Sequence, residues 1–496
     1  MNTVVLMKRL FIVLIICLPA LAFSDDKLDF KTIDSITYHQ FQNKEWKALI
    51  QSSKIGLENG IDYYYLRMRK GIAELELRNY INASIDFEKA IEFNTYDKTA
   101  KLYLYNSLIN SGRKKEAYRL SSTFSKSQKE ELDIQKKVLS DLNFFGGYSI
   151  SNNDQKNGSL NMLGDSAIYG EQLLMGNQKY FHLGSTLNIS PSFSFYASLS
   201  YLDIDKKNRF QYKLYRSFIE STDYKPGGSY DNVFGTKEEL VEQVFDDQIR
   251  QTEFYLNGNL LLKKAWSINL FANLLFASTT QYRAHLVSYL KRDTLSYNSP
   301  LNEYLIVNRE EFDYEINAID TSFMDWVVGF NLQKDFKYII FGLSTTMSKI
   351  YESQNFQSSL SATYYPFGNL KFYGMSILTF YHETDTRLSN DASHFIFSQT
   401  LGVQTFNRLW LEGEYIFGNM KNVNFKQGLV VHNLSDNINY IVGAKLYIFV
   451  NTHITLDLVY QLSDRTGYYT SYTNDFRTFS TKYQTHSIIG GIKWTL

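Results

Sequence analysis

Beyond Leu142 the chain alternates apolar and polar residues in runs of about ten, the length of a tilted strand that crosses a bilayer. Phe193, Phe195, Ala197, Leu199 and Tyr201 alternate with Ser194, Tyr196, Ser198 and Ser200. Phe254, Leu256, Gly258, Leu260 and Leu262 alternate with Glu253, Tyr255, Asn257 and Asn259. The same pattern returns at Ile268–Phe276 and at Ile454–Leu462. A side-chain period of two means β-strands with one apolar and one polar face. A membrane barrel satisfies that pattern, and so does the core of a soluble sandwich. Tyr (38) and Phe (36) are abundant, which favours strands in either case.

The connections separate these two folds. Ser190-Pro191-Ser192, Lys263-Lys264-Ala265 and Pro366-Phe367-Gly368-Asn369 are tight turns, whereas long loops are expected near 152–177, 206–249, 278–321 and 463–483. Short turns on one side and long excursions on the other belong to outer-membrane barrels. The final strand places Ile488, Gly490, Ile492, Trp494 and Leu496 on one face. That ending resembles the C-terminal signal read by the outer-membrane assembly machinery, with Trp494 two residues short of the usual terminal aromatic. About fourteen strands are expected, an even number as antiparallel bacterial barrels require, with sixteen as the alternative. The difference rests on Asn419–Asn437, where Phe425–Val431 reads either as a strand or as part of a loop.

No stretch after the N-terminus is long and apolar enough for a membrane helix. The N-terminus itself reads as a secretory signal over residues 1–22. Lys8 and Arg9 form the positive region, Leu10–Leu18 the apolar core and Ala20-Leu21-Ala22 the cleavage site. Met7 is an alternative start and a retained anchor the alternative fate. The sole cysteine, Cys17, follows bulky Ile16 where a lipoprotein box needs a small residue, so it is assigned to the removed peptide. The mature chain then has neither disulfides nor thiol chemistry.

Residues 23–140 carry a helical period instead. Trp46, Leu49 and Ile50 are spaced i, i+3, i+4, and Ile81, Ile85, Phe87, Ala90 and Ile91 continue the pattern. Segments around Ala48, Ala83 and Ala117 align, and small residues there let antiparallel helices approach. Ser127 with Glu130 is expected to form a capping box that opens a last helix. Gly71, Ala83, Phe87 and Ala90 resemble the tetratricopeptide repeat at its small-small-aromatic-small spacing, with Thr95 in place of the closing proline. A plain helical bundle is the alternative. The expected fold is therefore α + β and multidomain: tetratricopeptide-like helices over 23–140, then a transmembrane antiparallel β-barrel over 141–496.

Chemistry-bearing motifs are scarce. There is no nucleophile elbow, no zinc-binding histidine pair and no phosphate-cradling glycine loop, so no catalytic, cofactor or metal site is assigned. By alternation Glu253, Glu412, Glu414, Lys445, Asp457 and Lys493 point into the barrel, either as a structural ion-pair network or as a polar translocation path or plug contact. Glu220–Asp247 holds eight acids against Lys225 and Lys237 and is expected to be an acidic surface loop. Arg113, Lys114, Lys115, Arg119, Lys126, Lys129, Lys136 and Lys137 make the end of the helical region basic, suited to an anionic polymer or lipid headgroups, or simply solvated. Lys+Arg (51) equal Asp+Glu (51), which gives no reason to expect a nucleic-acid partner.

In layout the chain resembles exopolysaccharide export porins, surface lipoprotein assembly modifiers with fourteen-stranded barrels, and YaiO-like outer-membrane barrels. The resemblance implies export or translocation of a macromolecule across the outer membrane. The repeats would hold a periplasmic protein or the exported polymer, and the barrel would meet outer-membrane lipids and the barrel assembly machinery. A non-transporting scaffold and a barrel-embedded enzyme are the alternatives.

Overall fold

The computed structural model describes residues 29–132, 134, 138–153, 169–351, 353–385, 390–472 and 476–496. The expected signal segment, Lys136 and Lys137 lie outside these residues. Helices α1 (Phe30–Gln42), α2 (Trp46–Glu58), α3 (Tyr64–Glu76), α4 (Tyr80–Phe93), α5 (Lys98–Asn110), α6 (Lys114–Ser121) and α7 (Lys126–Glu131) come first. Their spacing is regular: the first helix of each pair starts at 30, 64 and 98, the second at 46, 80 and 114, a 34-residue step throughout. Residues through Ser107 pack as one compact unit, and Leu108–Leu496 form the other.

Within the first unit, Gly71 of α3 lies against Phe87 of α4, and Phe87, Ala83 and Ala90 are fully buried. Asp86 of α4 draws Lys70 (2.5 Å) and Arg67 (2.8 Å) from α3 across the same seam. The expectation for Ala48 fails. Ala48 is exposed, and Leu49, buried and 34 residues before Ala83, holds the equivalent position. Motif alignment had slipped by one residue because Leu, not a small residue, fills the seam in the first pair. Ala117 is buried in α6, as expected. The capping box also lies elsewhere. Ser125 caps α7, its hydroxyl accepting from Gln128 N and its own N–H donating to Gln128 Oε1, so the helix starts one residue ahead of Ser127.

The second unit includes α6 and α7 and a closed barrel of fourteen antiparallel strands: β1 (Leu139–Ser151), β2 (Tyr169–Ser190), β3 (Phe193–Tyr224), β4 (Tyr230–Leu261), β5 (Trp266–Asn298), β6 (Glu303–Asp335), β7 (Ile339–Ile350), β8 (Ser353–Tyr364), β9 (Phe372–Asp385), β10 (Asn390–Phe406), β11 (Leu409–Phe417), β14 (Asn437–Phe449), β15 (Ile454–Tyr472) and β16 (Phe476–Thr495). The two-residue strands β12 (Asn424–Phe425) and β13 (Val430–Val431) pair only with each other. Each strand joins its sequence neighbour, and β16 closes the ring on β1 from Asp141↔Thr495 to Ser151↔Thr485. Closure leaves no sheet edge in the barrel wall, the condition for a sheet in lipid. Ile488, Ile492 and Trp494 face outward on that last strand, with Leu270, Leu274 and Phe276 on β5 and Phe341, Leu343 and Met347 on β7 forming part of the same apolar exterior. Among the described residues no helix is long and apolar enough to cross a membrane.

The three turns read from the sequence, Ser190-Pro191-Ser192, Lys263-Lys264-Ala265 and Pro366-Phe367-Gly368-Asn369, lie at the end where β1 begins. At the opposite end, three of the stretches expected to be loops are largely strand, and one of them is 463–483, where β15 and β16 pair from Ser463↔Thr485 to Tyr472↔Phe476. β3 and β4 stay paired from Phe193↔Leu260 out to Tyr224↔Tyr230, and β5 and β6 from Trp266↔Lys334 to Asn298↔Glu303. The acidic loop is corrected with them. Six of its eight carboxylates sit on β4, and their pairs with bases of β3 include Arg209–Glu242 (3.3 Å), Lys213–Glu238 (3.0 Å) and Arg216–Glu239 (3.7 Å). The acids cluster in one stretch of sequence, whereas the bases that meet them lie roughly twenty to thirty-five residues earlier and are brought across by the hairpin.

These two long hairpins pack on each other. Tyr169, Phe210, Tyr212 and Leu214 bury against Phe245, Tyr282 and Tyr314. Glu311 of β6 is only 5 % exposed, and it accepts from Ser217 N (3.1 Å) and Oγ (2.8 Å) of β3 and from the Tyr289 hydroxyl (3.0 Å). Burial pushes its carboxyl up, but these hydrogen bonds and Lys291 (3.4 Å) outweigh it and hold the group down at about 2.

Candidate functional site: the lumen and its inserted loop

Alternation along the strands turns the polar set inward. Asn257, Asn269 and Asn273 of β4 and β5, Asn331 of β6, Thr346 of β7 and Gln357 of β8 line the lumen, whereas Leu256, Leu270 and Leu274 face outward. The predicted lumen charges follow that parity and form small groups. Lys445 of β14 lies 3.7 Å from Glu412 and 3.5 Å from Glu414 of β11, and the hydroxyls of Tyr373 and Tyr447 donate to Glu412. Lys493 pairs with Asp141 at 3.5 Å. Glu253 accepts from Gln251 (2.6 Å) and stands apart from the lysines. Asp457 joins none of these ion pairs, and its Oδ1 has no hydrogen-bond partner among the described residues. The sequence thus identified the groups, but they form separate pairs and not one network across the barrel.

The segment left open between strand and loop proves to be neither a wall strand nor a solvated loop. Residues 418–436 leave β11 at the long-hairpin end, turn inward and fill the lumen, with β12 and β13 as a minimal hairpin. One flank is apolar. Met420 and Val423 bury with Tyr381, Ile396, Ile416, Ile438 and Ile441 on the side where the loop originates. The tip crosses to the opposite wall. Tyr255 donates to Gln427 O (3.0 Å), Asn257 to Gln427 Oε1 (2.9 Å) and Asn273 to Gly428 O (2.9 Å). Asn257 is four residues from the end of β4, so the tip reaches deep toward the short-turn end.

The remaining contacts ring the barrel. Asn424 and Gln357 exchange amide hydrogen bonds (2.6–3.0 Å), Asn433 donates to Gln251 (2.6 Å), Asn422 to Glu383 (2.7 Å), and Tyr483 to Asp436 (2.5 Å). Lys426 lies beside Lys445, Glu412 and Glu414, adding a second cation to that cluster. At the tip, Lys426, Gln427 and Gly428 have consecutive positive φ angles of 51°, 59° and 77°. Left-handed backbone at a non-glycine residue costs about 1 kcal/mol or more, so the wall contacts hold a tip the chain would not adopt alone. A Cβ on Gly428 would stand 3.1 Å from Val327 and 3.3 Å from Phe271.

The sequence marks the segment as strand or loop but assigns none of its residues to a site. The available signal was composition: Met420, Val423, Phe425, Leu429 and Val430 are too apolar for a solvated loop, and the asparagines between them break any strand period. Among the described residues no group of three or more His, Cys, Asp or Glu side chains is placed to hold a metal ion.

The architecture so defined is a closed β-barrel whose lumen is occupied by its own loop, preceded by paired helices. No family model matches the chain, and no curated protein matches it. Several solved structures are similar in part. One is the P. putida toluene transporter TodX, at 7% identity and TM-score 0.33 over 72% of this chain and 90% of that one. Another is a Pseudomonas aeruginosa FadL homologue, at 7% identity and TM-score 0.37 over 72% and 90%. A third is the translocator domain of autotransporter NalP from Neisseria meningitidis, at 7% identity and TM-score 0.26 over 78% and 99%. The likeness is loose, and no residue role or substrate transfers with it.

Proposed function

We propose that the protein is an outer-membrane β-barrel that passes a polar macromolecule, polysaccharide or surface protein, and that loop 418–436 is its gate. The 34-residue helix pairs are read as tetratricopeptide-like repeats in the periplasm, holding a partner or the cargo. The observation that carries this is the chemistry of the loop–wall contact on the far side of the lumen. Apart from Val327 and Phe271 beside Gly428, it is made of neutral amides, hydroxyls and backbone carbonyls, each of which water replaces at little net cost when the loop withdraws. The wall left behind is hydrophilic, which suits a passage. The loop's strained tip lowers the cost of leaving further.

The same filled lumen supports a second reading, in which the barrel only anchors the repeats. Single-channel recording on the full-length protein in planar bilayers separates the two. The gate reading expects a low, flickering conductance from the native protein and a large, steady one when residues 420–434 are replaced by a short Gly-Ser linker. A loop-replaced barrel that folds but stays non-conducting overturns the gate and leaves the anchor.

A further inference from the structure

Pairing between β4 and β5 stops at Arg250↔Ser278 and resumes only near the hairpin tips, at Asp231↔Ser296. At the foot of that gap is a cavity of about 1000 Å³, lined by residues of β1 to β6. It lies next to Phe254 and Phe276 along β4 and β5, and exposed apolar residues such as Val244 and Leu286 continue beyond it on the same strands. Three properties of its lining define what it can hold.

The first is polarity. No aromatic or aliphatic side chain is among its lining residues, which are Ser, Thr, Asn, Gln, Asp, Lys, Arg and one Gly. A hydrocarbon or an acyl chain would find little apolar surface to cover it, and no apolar side chain. The second is charge balance. Asp205, Asp246, Asp247 and Asp320 stand against Lys206, Lys207 and Arg250, and Lys206 is already committed to Asp247 (3.0 Å), Thr279 and Thr280 (2.6 Å each). A near-neutral wall of mixed sign gives no net attraction to a polyanion or a polycation. It does offer carboxylate acceptors, ammonium and amide donors, and hydroxyls that serve as either. The third is size. The volume sits at the upper end of the roughly 300–1,000 Å³ range of small-ligand sites, so it takes several sugar rings and not one.

We infer that this cavity binds an uncharged, polyhydroxylated ligand of oligosaccharide size. Ring hydroxyls both donate and accept, which matches a lining that is dense in both functions and poor in net charge. The site also touches the gate through one layer. Leu434 of the loop packs against Met175, Ile204 and Ile249, and the next inward-facing residues along β3 and β4 are Lys206 and Asp247. A ligand bridging Lys206 and Asp247 presses on the layer that seats the loop's outer end. Binding rests on the cavity alone. Only the coupling to Leu434 uses the gate reading, so the two fail separately.

The test uses the full-length protein in a zwitterionic, non-sugar detergent, followed by saturation-transfer NMR. The probes are cellotetraose, maltotetraose and tetra-N-acetylchitotetraose, with tetragalacturonate as the anionic control and the chitosan tetramer as the cationic one. At least one neutral tetrasaccharide is expected to show transfer and neither charged control to exceed it. Ser278→Trp, which puts a bulky ring on the cavity lining, should weaken that binding about tenfold or more. Asp320→Leu is a second variant, and retained heat-modifiable migration on gels shows that each barrel has folded. Absence of transfer from all three neutral probes overturns the inference. So does binding that both folded variants leave unchanged, or a charged control that binds more tightly.

Discussion

Asn273, on the barrel wall, donates its side-chain amide to the carbonyl of Gly428 at 2.9 Å, and Gly428 sits at the tip of a loop rooted on the other side of the lumen. That single bond joins opposite walls. Replacing Asn273 by Leu leaves the carbonyl without its partner at a cost of about 1–3 kcal/mol. Conducting events in planar bilayers should become at least about fivefold more frequent, since each 1.4 kcal/mol shifts an equilibrium tenfold. Gly428→Val should act in the same direction, because a β-branched residue is strained at φ 77° and meets Val327. Unchanged opening in both variants would refute the role of the tip contact.

Lys445 lies within 4 Å of two half-buried carboxylates, Glu412 and Glu414. Lys445→Met removes their nearer cation and leaves Lys426 alone to offset them. A loss of about 3 kcal/mol is expected for breaking a buried pair from one side. Thermal unfolding followed by gel heat-modifiability should shift down by several degrees. In the loop-replaced background, the reversal potential should move toward cation selectivity.

Glu311 makes the packing of the two long hairpins pH-dependent with a definite sign. Its folded carboxyl is held at about 2, below an ordinary value of 4.5. The stabilisation is therefore complete above the unfolded value and is lost as pH falls from there through about 2. Pepsin should leave the hairpins intact near pH 4 and nick them as the pH nears 2. Glu311→Gln should lose the native's sharp change across that window and be nicked more readily at pH 4.

In the helical unit, a methyl at Gly71 would come within 2.7 Å of the buried Phe87 ring. Gly71→Ala should cost about 1–3 kcal/mol by overpacking, although alanine alone favours a helix. Far-UV dichroism at 222 nm on the full chain should show the helical signal melting earlier. Adding Phe87→Leu should recover part of the loss, which a purely local helix effect would not allow.

The barrel was legible in the sequence because its signal is local. Each strand carries its own period of two, and the turns Ser190-Pro191-Ser192 and Lys263-Lys264-Ala265 announce themselves. The inward charges followed from the same parity, as Lys445 beside Glu412 shows. What sequence concealed was non-local. Glu238 and Glu242 looked unpaired because Lys213 and Arg209 lie on the partner strand. Asn424 and Gln357 are sixty-seven positions apart yet exchange hydrogen bonds, and only closure of the barrel brings them together. Ala48 misled for the opposite reason: a match of short motifs ignored the 34-residue step that places Leu49 in the seam.

The outer hairpin divides its charges by strand. Between 206 and 216, β3 carries Lys206, Lys207, Arg209, Lys213 and Arg216, and β4 answers with Glu238, Glu239, Glu242, Asp246 and Asp247. Two neighbouring molecules that tried to zip β3 onto β3, or β4 onto β4, would bring like charges face to face. In a crowded membrane, where long exposed strands invite homotypic pairing, that arrangement favours each strand's own neighbour and discourages fusion of one copy to the next.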